Sequence, residues 1–229
     1  MGERINIMTT GTHCIGAYLA KPAGKPKGGI VVVQEIFGIT PHIRDVADRF
    51  AAAGYAAIAP AFFDFVENDV ELAYDKAGIE RGKNLALEVG LDRAVEAVAS
   101  ARQSIESSGK VGVVGFCWGG TVALLSAQRL GLPAVSYYGA RNVAYLDQPL
   151  KAPVIFHFGA TDRSITAEAV EKHRKAWPAA PVYVYEHCGH AFNRDVDKNV
   201  YNAAAAKLAW QRTLAFFDEN LFGKELAGA

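Results

Sequence analysis

The segment that most constrains the fold is an apolar run that leads directly into a glycine-rich corner. Val111-Gly112-Val113-Val114 predicts a buried strand, and Gly115-Phe116-Cys117-Trp118-Gly119-Gly120 follows it without a linker. A strained strand-to-helix turn of this kind lifts its central residue above the sheet, and the flanking glycines let strand and helix pass closely. The central residue is a thiol, and the free N–H groups at the start of the next helix favour a thiolate or an oxyanion. The segment therefore predicts a βα unit with a nucleophilic cysteine and indicates acyl-transfer chemistry.

Short apolar runs alternate with helical segments along the rest of the chain. The predicted strands are Cys14–Ala20, Gly29–Gln34, Ala56–Ala59, Val111–Gly115, Ala134–Tyr138, Val154–Phe158 and Val182–Glu186. The predicted helices cover residues 40–53 with Thr40 as N-cap and a stop at Gly54, residues 90–107, a stretch after Cys117, residues 167–176 and residues 200–220. Repeated βα units with fully apolar strands predict an α/β fold, with a mostly parallel, doubly wound sheet flanked by helices.

We expect residues 1–229 to form one such domain, because no linker, repeat or low-complexity segment interrupts the pattern. Residues 60–88 fit the pattern least well, since they are partly acidic and aromatic. They follow the C-terminal end of a strand, where open α/β sheets bind their ligands. This segment is interpreted as a lid or pocket wall, and simple packing of its phenylalanines is the alternative.

Composition excludes several classes of partner. The chain has 24 basic and 24 acidic residues and no basic block, which argues against nucleic-acid binding. No run approaches the roughly 18 apolar residues that span a bilayer, and the first residues lack a signal-peptide core. The three cysteines include no close pair, so we expect no disulfide, a reducing cytoplasmic location and Cys14 as a small hydrophobic residue of an early strand. A monomer is the default expectation.

An acid and a histidine follow Cys117 in the order that α/β hydrolases use. Asp162 lies in the loop after the strand Val154–Phe158, and His190 lies in the loop after the strand Val182–Glu186. If these strands are adjacent and parallel, the three side chains share one edge of the sheet. Asp162 would then fix the tautomer of His190, whose other ring nitrogen would face the thiol. Each residue alone has a plainer interpretation: a buried inert thiol, a turn or cap, and an ordinary histidine.

Two other histidine patterns are not predicted to form functional sites. His187, Cys188 and His190 are too closely spaced to hold one tetrahedral metal ion, and no fourth ligand is evident, so we expect no metal. His157 lies within an apolar strand and is predicted to be a core residue. No sequence feature calls for a cofactor.

Gln34-Glu35-Ile36-Phe37-Gly38 places a carboxylate directly after a buried strand. An unpaired buried charge is costly, so Glu35 either modulates the thiol or serves as a cap or salt-bridge partner, for example of Arg44. The loop after this strand commonly supplies one oxyanion N–H group, and the residue after the nucleophile supplies the other. Those donors would be Ile36 and Trp118.

These motifs resemble the dienelactone hydrolase family of α/β hydrolases. The shared segments are residues 34–38, residues 115–120, Tyr137-Tyr138-Gly139, Gly159-x-x-Asp162 and Gly189-His190-x-Phe192. The resemblance implies an α/β-hydrolase fold and opening of an unsaturated lactone to a dicarboxylic acid. It also implies a triad of Cys117, Asp162 and His190, with Glu35 as a carboxylate that takes the thiol proton when substrate arrives. It indicates substrate contacts by Arg194, Tyr137, Phe37 and the residue at position 65.

One position departs from the family pattern. Well-known members bind the substrate carboxylate with two arginines; Arg194 matches one of them, but Phe65 stands where the other is expected. A phenyl ring cannot pair with a carboxylate, and the nearby Asp64 and Glu67 would repel one. Arg141 is a candidate substitute, although an ordinary solvated arginine is the plainer interpretation.

Three functional hypotheses follow. The first is a cysteine-dependent hydrolase of an activated small-molecule ester or lactone, acting through an acyl-cysteine. The second keeps this triad but has a broader carboxylesterase or thioesterase range, which Phe65 favours. The third is a non-catalytic small-molecule-binding protein on a hydrolase fold, because a fold does not determine function. The presence of all three triad residue types argues against the third hypothesis.

Overall fold

The computed structural model describes residues 2–10 and 13–222. Its strands are β1 (Glu3–Met8), β2 (Cys14–Ala20), β3 (Gly29–Val33), β4 (Ala56–Pro60), β5 (Val111–Phe116), β6 (Ala134–Tyr137), β7 (Val154–Gly159) and β8 (Val182–Tyr185). Its α-helices are α1 (Pro41–Ala52), α2 (Lys76–Ser104), α3 (Trp118–Arg129), α4 (Ala167–Ala176) and α5 (Ala203–Phe222). Strands and helices alternate through most of the chain, as the apolar pattern predicts.

The chain divides into two compact units, Met1–Val113 and Val114–Ala229, and β5 crosses the boundary between them. In the first unit the strands lie in the order β1-β2-β4-β3, where β1–β2 and β2–β4 pair antiparallel and β3–β4 pair parallel. In the second unit the order is β5-β6-β7-β8, with parallel pairing of β6–β7 and β7–β8. The single domain over residues 1–229 remains a prediction.

The core of each unit forms where strands are apolar on both faces. Every residue of β3 and β4 is buried in the first unit, and every residue of β6 and β7 is buried in the second. The helix α3 is buried from Trp118 to Gln128, so the segment after the corner is enclosed by protein. Strands of this kind need cover on both faces, which the intervening helices supply.

Two elements differ from the prediction. Strand β1 was missed because it begins with two charged residues and is a half-exposed edge strand, in which only Ile7 of the apolar Ile5, Ile7 and Met8 is buried. Helix α2 begins at Lys76 rather than near Gly90, and Gly90 interrupts it with φ 74° and ψ 163°. Asp75 accepts a hydrogen bond from the Gly78 N–H (2.8 Å) and caps the true start. Residues 60–88 therefore contain a 3₁₀ turn at Phe62–Phe65 and half of a long helix.

Cys14 lies in a strand as predicted, but its side chain is exposed rather than packed as a small hydrophobic residue. It is the first residue of β2 and pairs with Met8 of the antiparallel strand β1. Side chains alternate across a strand, so the inward position belongs to Ile15, which is 1% exposed. Cys188, by contrast, is buried, and His157 is a fully buried core residue as predicted.

Candidate active site

The corner after β5 holds Cys117 in a strained conformation. Cys117 has φ 56° and ψ −117°, a backbone geometry that residues other than glycine rarely adopt. Its N–H donates to the Tyr137 carbonyl (3.0 Å), and its own carbonyl accepts from the Gly120 N–H (3.0 Å). The thiol is partly exposed and lies at the N-terminus of α3, as the sequence predicts.

The glycines beside Cys117 are required by close backbone contacts. A Cβ at Gly115 would collide with the carbonyl group of Gly119. A Cβ at Gly120 would lie 2.5 Å from the Tyr137 oxygen, which also accepts the Cys117 N–H. The two glycines therefore let β5, α3 and the end of β6 approach one another around the thiol.

Asp162 and His190 meet where the loops after β7 and β8 run side by side. The Thr161 N–H donates to the Cys188 carbonyl (2.9 Å), and a Cβ at Gly159 would collide with that same carbonyl. Oδ2 of Asp162 lies 2.7 Å from Nδ1 of His190, and Oδ1 accepts the Ser164 N–H (2.8 Å). Both carboxylate oxygens are thus engaged, which orients the imidazole.

The surroundings of His190 raise the pKa of its imidazole. Burial acts to lower its pKa, but the hydrogen bonds and charges of Asp162 and Cys117 outweigh burial and raise the pKa to about 10. The Asp162 side chain is fully buried, whereas that of His190 is 30% exposed. The second unit thus brings the three predicted triad side chains together, and its hydrogen bonds and charges favour the protonated form of His190.

The loop after β3, in the first unit, carries Ile36, the predicted oxyanion donor. Glu35 is 1% exposed and Ile36 is 9% exposed, directly after β3. The Phe37 carbonyl accepts the Leu72 N–H (2.9 Å), and a Cβ at Gly82 would collide with the Ile36 carbonyl. Residues 60–88 therefore pack tightly on this loop. Arg44 is ion-paired with Glu71 (2.8 Å).

The predicted substrate contacts vary in accessibility. Phe37 is buried and packs edge-on against Tyr74, and Phe65 is half-buried with its ring 5.6 Å from that of His13. Tyr137 is 1% exposed, and its hydroxyl is hydrogen-bonded to Thr213 (2.7 Å). Arg194 is also buried.

The guanidinium of Arg194 lies 3.5 Å from the carboxylate of Asp197. Arg141 is exposed. Direct contact between these side chains and a substrate therefore remains a prediction.

Sequence reasoning missed the side chain that packs on the imidazole of His190. The ring of Tyr138 lies 5.1 Å from that of His190, and its backbone has φ 39°. In the sequence, only the position of Tyr138 in the Tyr-Tyr-Gly segment indicated a role near the site. Within the described ranges 2–10 and 13–222, no cluster of three His, Cys, Asp or Glu side chains could hold a metal ion, and no helix is long and apolar enough to span a bilayer.

Comparison with known proteins identifies the family of the chain. The family model for the dienelactone hydrolase family matches residues 15–221. The carboxymethylenebutenolidase of Pseudomonas putida is 33% identical over 225 residues, covering 93% of this chain and 95% of the relative. The carboxymethylenebutenolidase of Pseudomonas knackmussii has the same identity and coverage.

Solved structures give the same fold. A provisionally assigned dienelactone hydrolase from Klebsiella pneumoniae superposes with a TM-score of 0.83 at 30% identity, covering 96% of this chain and 98% of that one. A dienelactone hydrolase-like promiscuous phosphotriesterase from metagenomic libraries gives a TM-score of 0.78 at 21% identity, covering 96% and 99%. The chain therefore has the α/β-hydrolase fold and belongs to the dienelactone hydrolase family, whose members hydrolyse carboxylic esters or lactones.

Proposed function

We propose that this enzyme hydrolyses an activated ester or lactone through an acyl intermediate on Cys117. The observation that supports this mechanism best is the hydrogen-bonded series Cys117–His190–Asp162 at the end of a strained strand-to-helix turn. A nucleophile, a base and a group that orients the base are the components that acyl transfer requires. The carboxymethylenebutenolidases among its relatives point to an unsaturated lactone as the substrate.

In the first half-reaction, the Cys117 thiolate attacks the carbonyl carbon and a tetrahedral oxyanion forms. The Trp118 N–H, at the start of α3, and the Ile36 N–H are the proposed oxyanion donors. The carbon–oxygen bond to the leaving group then breaks, and the leaving oxygen takes the proton from His190. This step leaves a thioester on Cys117 and a neutral imidazole.

Deacylation uses the change in charge that acylation causes. The thiolate's hydrogen bond and charge are two of the causes that raise the pKa of His190, and both vanish in the thioester. The imidazole pKa then falls, so His190 can take a proton from water, which attacks the thioester carbon. The carbon–sulfur bond breaks, the product acid leaves, and the thiolate–imidazolium pair is restored. Asp162 holds one tautomer throughout.

In enzyme molecules whose cysteine is still protonated, Glu35 is proposed to accept the thiol proton when substrate arrives. Its burial directly after β3 supports this role, because a carboxylate at such a position requires a specific reason to remain there. Residues 60–88 are proposed as a pocket wall, since they pack on the loop that carries Glu35 and Ile36. A single domain, a monomeric state and a cytoplasmic location complete the proposal, the last because a reducing compartment preserves the free cysteines.

A second candidate keeps the mechanism and broadens the substrate range to neutral carboxylic esters or thioesters. Phe65 favours it, since this position offers an aromatic ring in place of a cation. Asp64 accepts the Gly16 N–H (2.7 Å) close to this position and adds negative charge. Such surroundings suit an uncharged or aromatic acyl group better than a carboxylate.

The mechanism is tested by trapping the acyl group. The enzyme is mixed with a dienelactone or an aryl ester, quenched in acid within milliseconds and measured by intact mass and peptide mapping. We expect an added acyl mass on Cys117 that disappears as product forms. An adduct on another residue, or turnover without an adduct in a Cys117→Ala variant, would contradict the proposal.

A further inference from the structure

A connected series of hydrogen bonds runs through the interior of the second unit. The Arg212 guanidinium donates to the Tyr185 hydroxyl (3.2 Å), which is bonded to Nδ1 of His157 (2.8 Å). Nε2 of His157 is bonded to the Thr213 hydroxyl (3.2 Å), which is bonded to the Tyr137 hydroxyl (2.7 Å). We call Tyr185, His157, Thr213 and Tyr137 the His157 network.

The network is buried and uncharged. His157 and Thr213 are 0% exposed, Tyr137 is 1% exposed and Tyr185 is 5% exposed. Burial, assisted by the charge of Arg212, lowers the pKa of His157 to about 3, and burial raises the pKa of Tyr185 to about 12 despite Arg212. Each polar group in this interior needs a partner to offset the cost of burial, and the members provide partners for one another. Removing one hydroxyl therefore disturbs the whole series.

The network is joined to the triad through two backbone carbonyls. The Tyr137 carbonyl accepts the Cys117 N–H (3.0 Å), and the His157 carbonyl accepts the Tyr138 N–H (2.8 Å). Tyr138 is thereby held at φ 39°, with its ring 5.1 Å from the His190 ring. Two of the four network residues, Tyr137 and His157, thus also hold the nucleophile and the ring beside the base through their backbone carbonyls.

We propose that the His157 network positions the catalytic centre: Thr213 and His157 hold Tyr137 and Tyr138 so that Cys117 and His190 keep their mutual geometry. No member of the network touches the reacting atoms, and the burial of Tyr137 assigns its side chain this positioning role in place of the substrate contact that the family resemblance implies. Its side chains act on the reaction only through the backbone of β6 and the ring of Tyr138. This inference rests on the proposed cysteine mechanism.

The substitution Thr213→Val tests the proposal, because valine keeps the shape of threonine and removes its hydroxyl. Thr213→Ser restores the hydroxyl, and Tyr137→Phe removes the other end of the same bond. Ser100→Ala is the matched control, since Ser100 is also buried and its hydroxyl bonds only within α2, to the Glu96 carbonyl (3.2 Å). For each variant, kcat, KM, thermal midpoint and the pH dependence of Cys117 alkylation by iodoacetamide are measured.

We expect Thr213→Val and Tyr137→Phe to lower kcat about tenfold or more with little change in KM, because small misplacements of reacting groups are costly. Both variants are expected to alter the pH profile of Cys117 alkylation, while Thr213→Ser and Ser100→Ala stay close to the wild type. A folded Thr213→Val enzyme with wild-type kcat and alkylation profile would overturn the inference. If that variant fails to fold, Tyr137→Phe decides by the same criteria. Failure of the cysteine mechanism itself is distinguishable, because the wild type would then form no acyl adduct on Cys117.

Discussion

The side chain at position 65 is expected to affect which substrates the enzyme prefers. Phe65 is half-buried beside His13, and the neighbouring carboxylate Asp64 is held by the N–H groups of Gly16 (2.7 Å) and Asp69 (3.2 Å). Burial raises the pKa of Asp64 against the lowering effect of these two hydrogen bonds. Position 65 itself therefore offers a phenyl ring beside a carboxylate, and the nearby Arg4 is ion-paired with Asp69 (2.8 Å), which disfavours a carboxylate-bearing substrate at this position.

The substitution Phe65→Arg is expected to shift specificity towards a carboxylate-bearing dienelactone. A bidentate guanidinium–carboxylate contact contributes more than a neutral one, so the ratio of kcat/KM for the dienelactone to that for a neutral aryl ester should rise about tenfold. Phe65→Gln is the control for polarity without charge. An unchanged ratio in Phe65→Arg would show that position 65 does not contact the acyl group.

The proximity of the three proposed triad residues could be predicted from sequence because each follows a recognisable strand. Cys117, Asp162 and His190 come after β5, β7 and β8, and the structure places their side chains together. The burial of Arg194 beside Asp197 could not be predicted in this way. It depends on how the loop after His190 turns back on itself, and sequence spacing carries no signal for that.

Elements with strong local signals were predicted within a residue or two. Helix α4 matches its predicted range, and the stop of α1 at Gly54 is confirmed by φ 94° at that glycine. The start of α2 was missed because its first turns are polar and the kink at Gly90 resembles a helix boundary in the sequence. The position of Thr40 as N-cap of α1 is confirmed, but its hydroxyl accepts from Tyr74 (2.9 Å) and makes no capping bond.

The corner between β5 and α3 has a testable steric requirement. Gly115→Ala would force a Cβ against the Gly119 carbonyl, so the turn must shift. We expect a loss of about 1–3 kcal/mol in the free energy of unfolding, as for other overpacked sites, together with a fall in kcat. Urea unfolding and steady-state kinetics measure the two effects.

Gly24→Ala is the matched control, because nothing lies within 4 Å of the position its Cβ would take. It should change stability by less than about 0.5 kcal/mol, as exposed substitutions usually do. Equal stability and activity in the two variants would contradict the close approach of strand and helix at the corner.

The acid stability of the whole protein should depend on His157. Its folded-state pKa of about 3 lies below the unfolded value near 6.5, chiefly because burial disfavours the charged ring. Below pH 6.5 the unfolded chain binds a proton that the native state does not, so stability falls as the pH falls towards 3. Arg212 adds to this effect, while Tyr137, Tyr183 and Tyr185 are the aromatic neighbours of the ring.

Between pH 6.5 and pH 5 this single group should remove about 2 kcal/mol, at roughly 1.4 kcal/mol per pH unit. Urea unfolding of the wild type and of His157→Gln at several pH values measures the difference in slope. The variant is expected to be less stable at neutral pH and to lose less stability on acidification. A parallel pH dependence in the two proteins would show that His157 is not held neutral, and His13→Gln, at an exposed site, serves as the control.

Fold class and family were accessible from sequence because alternating apolar runs and the corner motif are both local patterns. The His157 network was not, because it joins β6, β7, β8 and α5, which are distant in the chain. Its histidine alone could be foreseen as buried, and its partners are ordinary tyrosine and threonine residues in sequence. Hydrogen bonds between residues far apart in the chain produce no periodic pattern in the sequence.

The most direct test of the central claim is turnover of a dienelactone and an aryl ester by the wild type and by Cys117→Ala. Cys188→Ala, which removes a buried thiol from the loop beside His190, is the control for cysteine loss. We predict turnover by the wild type and the control and none above background by Cys117→Ala, with the same far-ultraviolet circular dichroism in all three. Retention of full activity by a folded Cys117→Ala enzyme would contradict catalysis through this cysteine.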